Sequence, residues 1–393
     1  MLSKFPIDVS KLTTRRRVKI VTKESTLTTC RKIQLYPSRT QRVLLNRWRL
    51  GYNRIYNYTL GYIRWNKQVG YRFFTVLSII MKEPRYKRLI ALYDLPLVFG
   101  HEAVKECCKA FKIAFANLRK RNITHFKIRY KRTTSKTIVV QGNCFSKRKN
   151  GFCIRKLGEM RSSTPIVGSK ESKLTVEGGR TYLYVPVQTP TFEVVGSRKE
   201  CALDPGVRTF QTMYCTRGTK EYGKRVSDKI AKVHKKLKTL DSRKGTSNSR
   251  DRVRWYEKAR NKVYATLKSS IKQLHWSTAL HLVKQFDTIY IGSFCTNSKR
   301  CVSRKGKLAK VTRFATNALS HFTFLQRLRY KAEQYGKKVV VVDESYTSKT
   351  CGRCFELNDV GSSKIYNCSN CNLTIDRDVN GARNIMLRAK GLW

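Results

Sequence analysis

Acidic residues are scarce in this chain: 25 Asp and Glu stand against 83 Lys and Arg in 393 residues, a formal net charge of 83 − 25 = +58. A folded protein so far from neutrality repels itself, so a polyanion is expected to neutralise it. The cations run along the whole chain, which favours a long phosphate track over one local patch and makes nucleic acid the expected partner. No apolar run reaches the roughly 18 residues of a membrane-spanning helix. The longest, Phe73–Met81, reads as a buried helix. The opening stretch MLSKFPIDVSKLTTRRRVK lacks the apolar segment of a secretion signal. No lipidation motif or basic amphipathic terminal helix speaks for an anionic membrane surface. A secreted disulfide framework is not expected either: nine of the 13 cysteines fall outside CxxC spacing, Cys107 and Cys108 being adjacent. The expectation is an intracellular protein without membrane association. With 40% hydrophobic and 11% aromatic residues it is not a disordered basic tail. At about 150 residues per domain it divides into two or three.

Residues 31–36 alternate polar and apolar and read as a strand stopped by Pro37. Ser38 then caps a helix with Val43, Leu44, Trp48, Tyr52, Ile55, Tyr56 and Leu60 at helical spacing. Helical pattern continues to about Leu118, with Val104, Cys107, Cys108, Phe111 and Phe115 on one face. From His125 the period becomes two. Thr137–Val140 and Gly151–Ile154 are expected to pair across Asn150-Gly151, and Lys173–Val176 with Tyr182–Val187 across Gly178-Gly179, as hairpins of a small barrel. The second half reads as α/β. A buried strand, Cys201–Leu203, leads to Asp204 and has Thr209–Tyr214 as hairpin partner. A long helical pair follows, carrying Ile230, Val233, Leu237 and Leu240, then Val263, Leu267, Ile271 and Leu274. Asp287–Ile291 and Val339–Val342 are further strands, and the Val run suggests a sheet covered on both faces. One helix, about 313–335, lies between them, and a last helix spans about 380–388.

Two constellations carry chemistry. Cys351-Gly352-Arg353-Cys354 and Cys368-Ser369-Asn370-Cys371 are CxxC knuckles, separated by the 13 residues 355–367. Paired knuckles let four thiolates converge on one tetrahedral Zn²⁺ at about 2.3 Å, a closed shell that staples without catalysing. A redox role, read from a single CxxC, does not suit the tandem. The second is a set of acids at strand ends: Asp204 before Pro205-Gly206, Asp343-Glu344 after the Val run, and Asp376-Arg377-Asp378 before the final helix. Strand ends of open α/β sheets are where sites form. Three carboxylates meeting there could hold two Mg²⁺ about 4 Å apart, the clamp of in-line phosphodiester cleavage. Taken singly, each acid would more often cap a helix or pair with Arg; three at sheet ends in one basic protein shift the balance.

At these residues the chain resembles the transposon-encoded TnpB nucleases and, more closely, their eukaryotic and viral relatives called Fanzor; compact type V CRISPR effectors are more distant. The resemblance lies in Arg31–Pro37 with Gln41, in Ala202-Leu203-Asp204-Pro205-Gly206, in Tyr346–Cys351 leading into the knuckles, and in Asp376–Ile385. It implies an α/β multidomain fold: an RNase H-like RuvC nuclease (196–345 and 374–393) with an inserted zinc ribbon (346–373). A wedge-like β-barrel (1–36 and 119–195) carrying a helical recognition lobe (37–118) precedes it. It also implies RNA-guided, metal-dependent cleavage of double-stranded DNA beside a short motif read by the protein through residues 36–130. The bound partner would be a guide (omega-type) RNA, the protein monomeric within the ribonucleoprotein and nuclear if its host is eukaryotic. In typical TnpB the second catalytic acid ends the strand corresponding to Asp287–Ile291, where this chain has Gly292-Ser293. The Fanzor pattern moves the Glu to the next strand, which Glu344 matches. Asp204, Glu344 and Asp378 are then the expected catalytic, Mg²⁺-holding acids, one ion activating water and the other stabilising the leaving 3′ oxygen. Asp343 and Asp376 would point elsewhere, since neighbours in extended chain alternate faces. Two other classes fit the same features: a catalytically inactive zinc-ribbon DNA- or RNA-binding protein, and a transposase.

Overall fold

The computed structural model describes residues 19–168, 170–195, 199–293, 310–359, 361 and 363–392; the opening stretch before Lys19 lies outside them. Two compact units divide the described residues, one of 28–189 and one of those before 28 and after 189.

The unit of 28–189 takes in the second half of β1 (Lys19–Tyr36), a longer strand than the six residues read from the alternation. Ser38 caps α1 (Arg39–Trp65) in a capping box: its hydroxyl accepts from the Gln41 N–H at 3.2 Å, and the Ser38 N–H donates to the Gln41 side chain at 2.9 Å. Trp48, Tyr52, Ile55, Tyr56 and Leu60 are buried, as the period requires. Val43 is exposed, because five residues before Trp48 is about 140° around the helix from it. There follow α2 (Phe73–Lys82), α3 (Pro84–Leu92) and α4 (Leu97–Arg119). The apolar run in α2 is one-sided: Val76 and Ile80 are buried while Phe74 is exposed.

The remaining elements are β2 (Thr137–Val140), α5 (Ile154–Leu157), β3 (Arg161–Ser162), β4 (Ser172–Glu177) and β5 (Arg180–Val195), in a five-stranded sheet of order β2-β4-β5-β1-β3. The β4–β5 hairpin turns through Gly178-Gly179, both at positive φ as a type I′ turn demands. The other expected hairpin does not form. β2 pairs with β4, Thr137 opposite Thr175, which places Ile138 and Val140 in the core with Leu174 and Leu183. Residues 151–154 offer only the Phe145–Phe152 bridge before α5 begins. One core takes in β1 (Ile33, Leu35), α1 (Trp48, Tyr52), α4 (Phe99, Val104) and the sheet, so helices and strands here are not separately packed bodies.

The second unit opens with the meander β6 (Glu200–Pro205), β7 (Gln211–Cys215) and β8 (Gly218–Tyr222). The last of these, short and polar at its centre, gave no strand signal. The arm α6 (Val226–Gly245) and α7 (Arg250–Gln285) matches the expected helical pair. Next come β9 (Thr288–Gly292), α8 (Lys310–Leu319), α9 (His321–Gln334), β10 (Lys338–Val342), β11 (Ile365–Asn367), β12 (Thr374–Asp376) and α10 (Arg377–Ala389). The single helix expected over 313–335 is broken at Ser320, whose φ is +48°. The main sheet runs β10-β9-β6-β7-β8, with β10, β9 and β6 parallel. Among the described residues the Val run is therefore an edge strand flanked only by β9, and Val341 is exposed where coverage on both faces was expected.

Alternation divides this sheet into two faces. Cys201, Leu203, Ile289 and Ile291 pack with Leu282 of α7 and Phe324 and Leu328 of α9. Ala202, Tyr290 and Val342 pack with Ile385 and Met386 of α10. The same parity places Asp204 on the α10 side.

On the opposite face Phe210 is sandwiched between two buried imidazoles, His275 at 4.9 Å and 12°, and His321 at 5.3 Å and 18°. Arg327 donates to His275 Nδ1 at 2.8 Å, so the other nitrogen carries the proton and donates to the Leu319 carbonyl at 2.9 Å. Burial lowers both histidines to about 4; the Arg327 charge adds to this at His275, and His275 itself at His321. A depressed histidine stabilises the fold above its unfolded value and loses that contribution as pH falls. Melting temperature should therefore drop between roughly pH 6.5 and 4, each imidazole contributing up to about 3 kcal/mol. His321→Gln, which cannot protonate, should melt lower at pH 7 but show a flatter acid limb. Parallel curves for the two proteins would refute this account.

Candidate active site and metal centre

Three acids from distant parts of the sequence reach one end of the main sheet. Asp204 lies on β6, paired with Thr212 of β7 and one residue beyond the Leu203–Ile291 pair with β9. Glu344 lies two residues past β10, whose last residue, Val342, pairs with Gly292. Asp378 sits in the first turn of α10. The helix is seated directly on the β6 carboxylate: a Cβ added to Gly381 would stand 2.8 Å from Asp204 Oδ2. Position 292 is closed in the same way. A Cβ there would stand 2.8 Å from Glu344 Oε2 and 3.1 Å from Ile385 Cδ1, so no side chain fits while Glu344 occupies that space.

The electrostatics reflect the crowding. Burial pushes Asp204 well above the ordinary carboxylate range, and the charges of Asp378 and Glu344 push it further. Glu344 is raised to about 7 by burial and by neighbouring Asp343. Asp378 is raised by burial and by Asp376, against the opposing pull of Arg208, Lys364 and Arg377. Among the described residues none of these three carboxylates has a hydrogen-bond donor or ion-pair partner. Their sequence neighbours do. Asp343 accepts from the Ser345 hydroxyl at 3.0 Å and pairs with Arg388 at 3.4 Å. Asp376 caps α10, accepting from the Asp378 N–H at 2.9 Å, and pairs with Lys364 at 3.2 Å. Half-buried oxygens of like charge without a donor form a donor set suited to a hard divalent cation such as Mg²⁺. They do not form a closed cage, since among the described residues only the cysteine quartet brings all its ligand atoms within 4.8 Å of one another.

That quartet is Cys351, Cys354, Cys368 and Cys371. Sγ atoms approach to 3.5 Å in the pairs Cys351–Cys371 and Cys354–Cys368. A tetrahedral Zn²⁺ with bonds of about 2.3 Å sets sulfur–sulfur edges of about 3.8 Å, so the site fits zinc with a small outward relaxation. Backbone N–H groups of Cys371 and Asn370 favour the Cys368 thiolate and draw it down to about 6. The β11–β12 hairpin carries the second knuckle, with Tyr366 buried beneath the sulfurs.

Two buried asparagines tie this ribbon to the acid-bearing helix. Asn380 donates to the Thr350 carbonyl at 2.8 Å and accepts from the Gly352 N–H at 3.0 Å. Asn384 donates to the carbonyls of Thr347 and Thr350 at 2.8 and 2.7 Å. Asn380, Asn384 and Gly381 had no assigned role in the sequence, and Gly292 was read only as a missing acid. The signal available was two amides four apart on one helix face, beside a glycine where helix propensity argues against one.

The quartet should hold one zinc per chain by elemental analysis, and Cys354→Ser with Cys371→Ser should hold none. Stripping the metal should lower the melting temperature by several degrees, since a four-sulfur site contributes folding energy outright. A metal-free chain melting with the native one would defeat the assignment.

A family model described as Cas12f1-like, TNB domain, matches residues 321–385, which span α9, β10, the ribbon and most of α10. A TnpB-like protein of Acanthamoeba polyphaga mimivirus is 30% identical over 390 residues, covering 90% of this chain and 72% of the relative. A candidate transposase of Paramecium bursaria Chlorella virus 1 is 29% identical over 385 residues, 91% of this chain and 86% of the relative. The CRISPR-associated endodeoxyribonuclease Cas12f1 of Sulfoacidibacillus thermotolerans is 35% identical over 79 residues, 19% of this chain and 18% of that one. With the mimivirus likeness running through 90% of its length, the chain belongs to the TnpB family.

Proposed function

We propose that this chain is an RNA-guided, metal-dependent DNA endonuclease of the Fanzor branch, cutting double-stranded target DNA next to a short motif. The carrying observation is that Glu344 lies against Gly292, where a Cβ would stand 2.8 Å from its Oε2. The resemblance puts the second acid of typical TnpB at Gly292-Ser293, so Glu344 from the neighbouring strand would take its place. Asp204, Glu344 and Asp378 would hold the Mg²⁺ ions, which when bound supply the positive charge for water attack and departure of the 3′ oxygen. The chain's own contribution is positioning. β6 fixes Asp204, α10 presses Gly381 against it, and Arg388 and Lys364 draw Asp343 and Asp376 aside. The absence of a closed carboxylate cage is compatible with this, since like charges hold apart until cations lie between them.

The excess of 83 Lys and Arg over 25 Asp and Glu suits a protein enclosing a guide RNA and its DNA target. Sequence choice would then rest on guide pairing, with the protein holding the heteroduplex by shape and backbone charge. The wedge-like barrel (1–36 and 119–195), the recognition lobe (37–118), the nuclease (196–345 and 374–393) and the ribbon (346–373) are the proposed division of labour. A relative named as an endodeoxyribonuclease and another named as a candidate transposase support phosphodiester chemistry.

Asp204→Ala, Glu344→Gln and Asp378→Ala should each abolish guided cleavage while leaving guide and target affinity within a few-fold, because glutamine keeps the shape and loses the charge facing the metal. Asp343→Asn should be much milder. Gly292→Ala should lower cleavage strongly by displacing Glu344, and Mg²⁺ should raise the melting temperature of the native protein but not of Asp204→Ala. Full cleavage by Glu344→Gln would remove Glu344 from the catalytic set, and no cleavage by the native ribonucleoprotein with Mg²⁺ would favour an inactive binding protein.

A further inference from the structure

The unit of residues 28–189 contains a groove that the nuclease chemistry leaves unused. A cavity of about 610 Å³ is walled by Tyr58, Tyr62 and Trp65 of α1, Arg85 of α3, Tyr130, and Arg54 at one end. Trp65 is 86% exposed and Tyr130 50%. Neither exposure is explained by the core of this unit, and large rings left in water along a concave wall mark a binding surface. Cations back the rings: the Arg85 guanidinium lies 5.3 Å from the Tyr58 centroid and that of Arg64 4.9 Å from Tyr130. No Asp or Glu lines the cavity; the nearby Glu83 is engaged by the Tyr58 hydroxyl at 3.3 Å. A second cavity of about 470 Å³ continues past Arg54 and Asn57 to Arg132 and also has no acid in its lining.

Aromatic faces interleaved with guanidinium groups in an acid-free trench match one ligand chemistry, a flat base joined to phosphates. The cavity, at about 610 Å³, is within the size range of small-molecule sites. The preformed opening needs a base that is already unpaired. Duplex DNA stacks and pairs its bases, whereas folded RNA presents free ones in loops and bulges, where proteins read RNA by stacking. We propose that this groove seats an unpaired RNA nucleobase stacked on Trp65, with flanking phosphates on Arg54 and Arg85. The proposal rests on the reading of the chain as an RNA-guided protein and adds the place where a guide loop is held.

The test uses the full chain and three fluorescein-labelled probes at about 0.4 M salt, where phosphate attraction is weakened. The probes are an RNA hairpin with an eight-nucleotide unpaired loop, the same RNA with the loop annealed into duplex, and single-stranded DNA of the loop sequence. Trp65→Ala, at so exposed a position, should fold normally. It should weaken hairpin binding about 5- to 150-fold, the range expected for one lost base–aromatic stack, and change duplex binding less than twofold. Trp65→Phe should recover most of the loss, and Asp204→Ala should bind the hairpin as the native chain does. Equal losses for hairpin and duplex, equal losses for hairpin and single-stranded DNA, or unchanged hairpin binding would each overturn the groove assignment. In the last case a preference for RNA retained by Trp65→Ala would leave the guided reading standing; a native chain with no preference for the hairpin over DNA would remove both. Poly-glutamate whose binding depends on Trp65 while RNA binding does not would identify an acidic peptide site instead.

Discussion

The packing of α10 across the sheet governs this end of the molecule. Ile385 and Met386 bury against Ala202, Tyr290 and Val342, and that apolar contact holds Gly381 on the Asp204 carboxylate. Hydrophobic burial thereby forces charges of one sign together where solvent cannot easily screen them. In a chain of net charge +58, cations could have been supplied by side chains at little cost. Lys364 and Arg388 are instead spent on the two neighbouring acids, Asp376 and Asp343. Among the described residues Asp204, Glu344 and Asp378 have no ion-pair partner within 4.0 Å, and burial and neighbouring carboxylate charges raise their pKa values.

The same helix joins the three carboxylates to the cysteine quartet. Its inner face bears Gly381 against Asp204, and Asn380 and Asn384 bond the turn that carries the first CxxC knuckle. Both amides are buried, where a lost partner costs the full desolvation of the group it leaves behind. Ribbon and carboxylates thus share one rigid support, and disorder in the ribbon would be transmitted to the helix under Asp378. The His275–Phe210–His321 stack braces the opposite face, so the β6–β7 hairpin that begins at Asp204 is held from both sides.

Local patterns were legible because they repeat at the period of the element that produces them. The Ser38 cap, the inward stripe of α1, the α6–α7 arm and the Gly178-Gly179 hairpin all depend on residues within a turn or two of one another. The paired knuckles are likewise a matter of spacing, and their sulfurs lie within reach of one ion. Partnership between distant strands was not legible. β2 joined β4 and not residues 151–154, and the Val run became an edge, because either pairing satisfies the alternation and only the completed core chooses. The break at Ser320 was hidden by the same limit, as a helical stripe continues on both sides of it.

The sequence by itself determined the chemical inventory: a basic chain with two CxxC knuckles and a few acids placed at the ends of apolar strands. It did so because charge, ligand spacing and short-range period are properties of neighbouring residues. The tertiary structure decided which acid of each close pair is drawn into an ion pair and which has none among the described residues. Asp343 and Glu344 differ by one residue, yet one meets Arg388 and the other enters the space at Gly292. That outcome depends on the pairing of β10 with β9 and on a helix that begins 33 residues beyond Glu344, at Arg377 (377 − 344). Alternation along the chain sends the two neighbours to opposite faces, but which partners each meets at that separation is set by how the whole core closes.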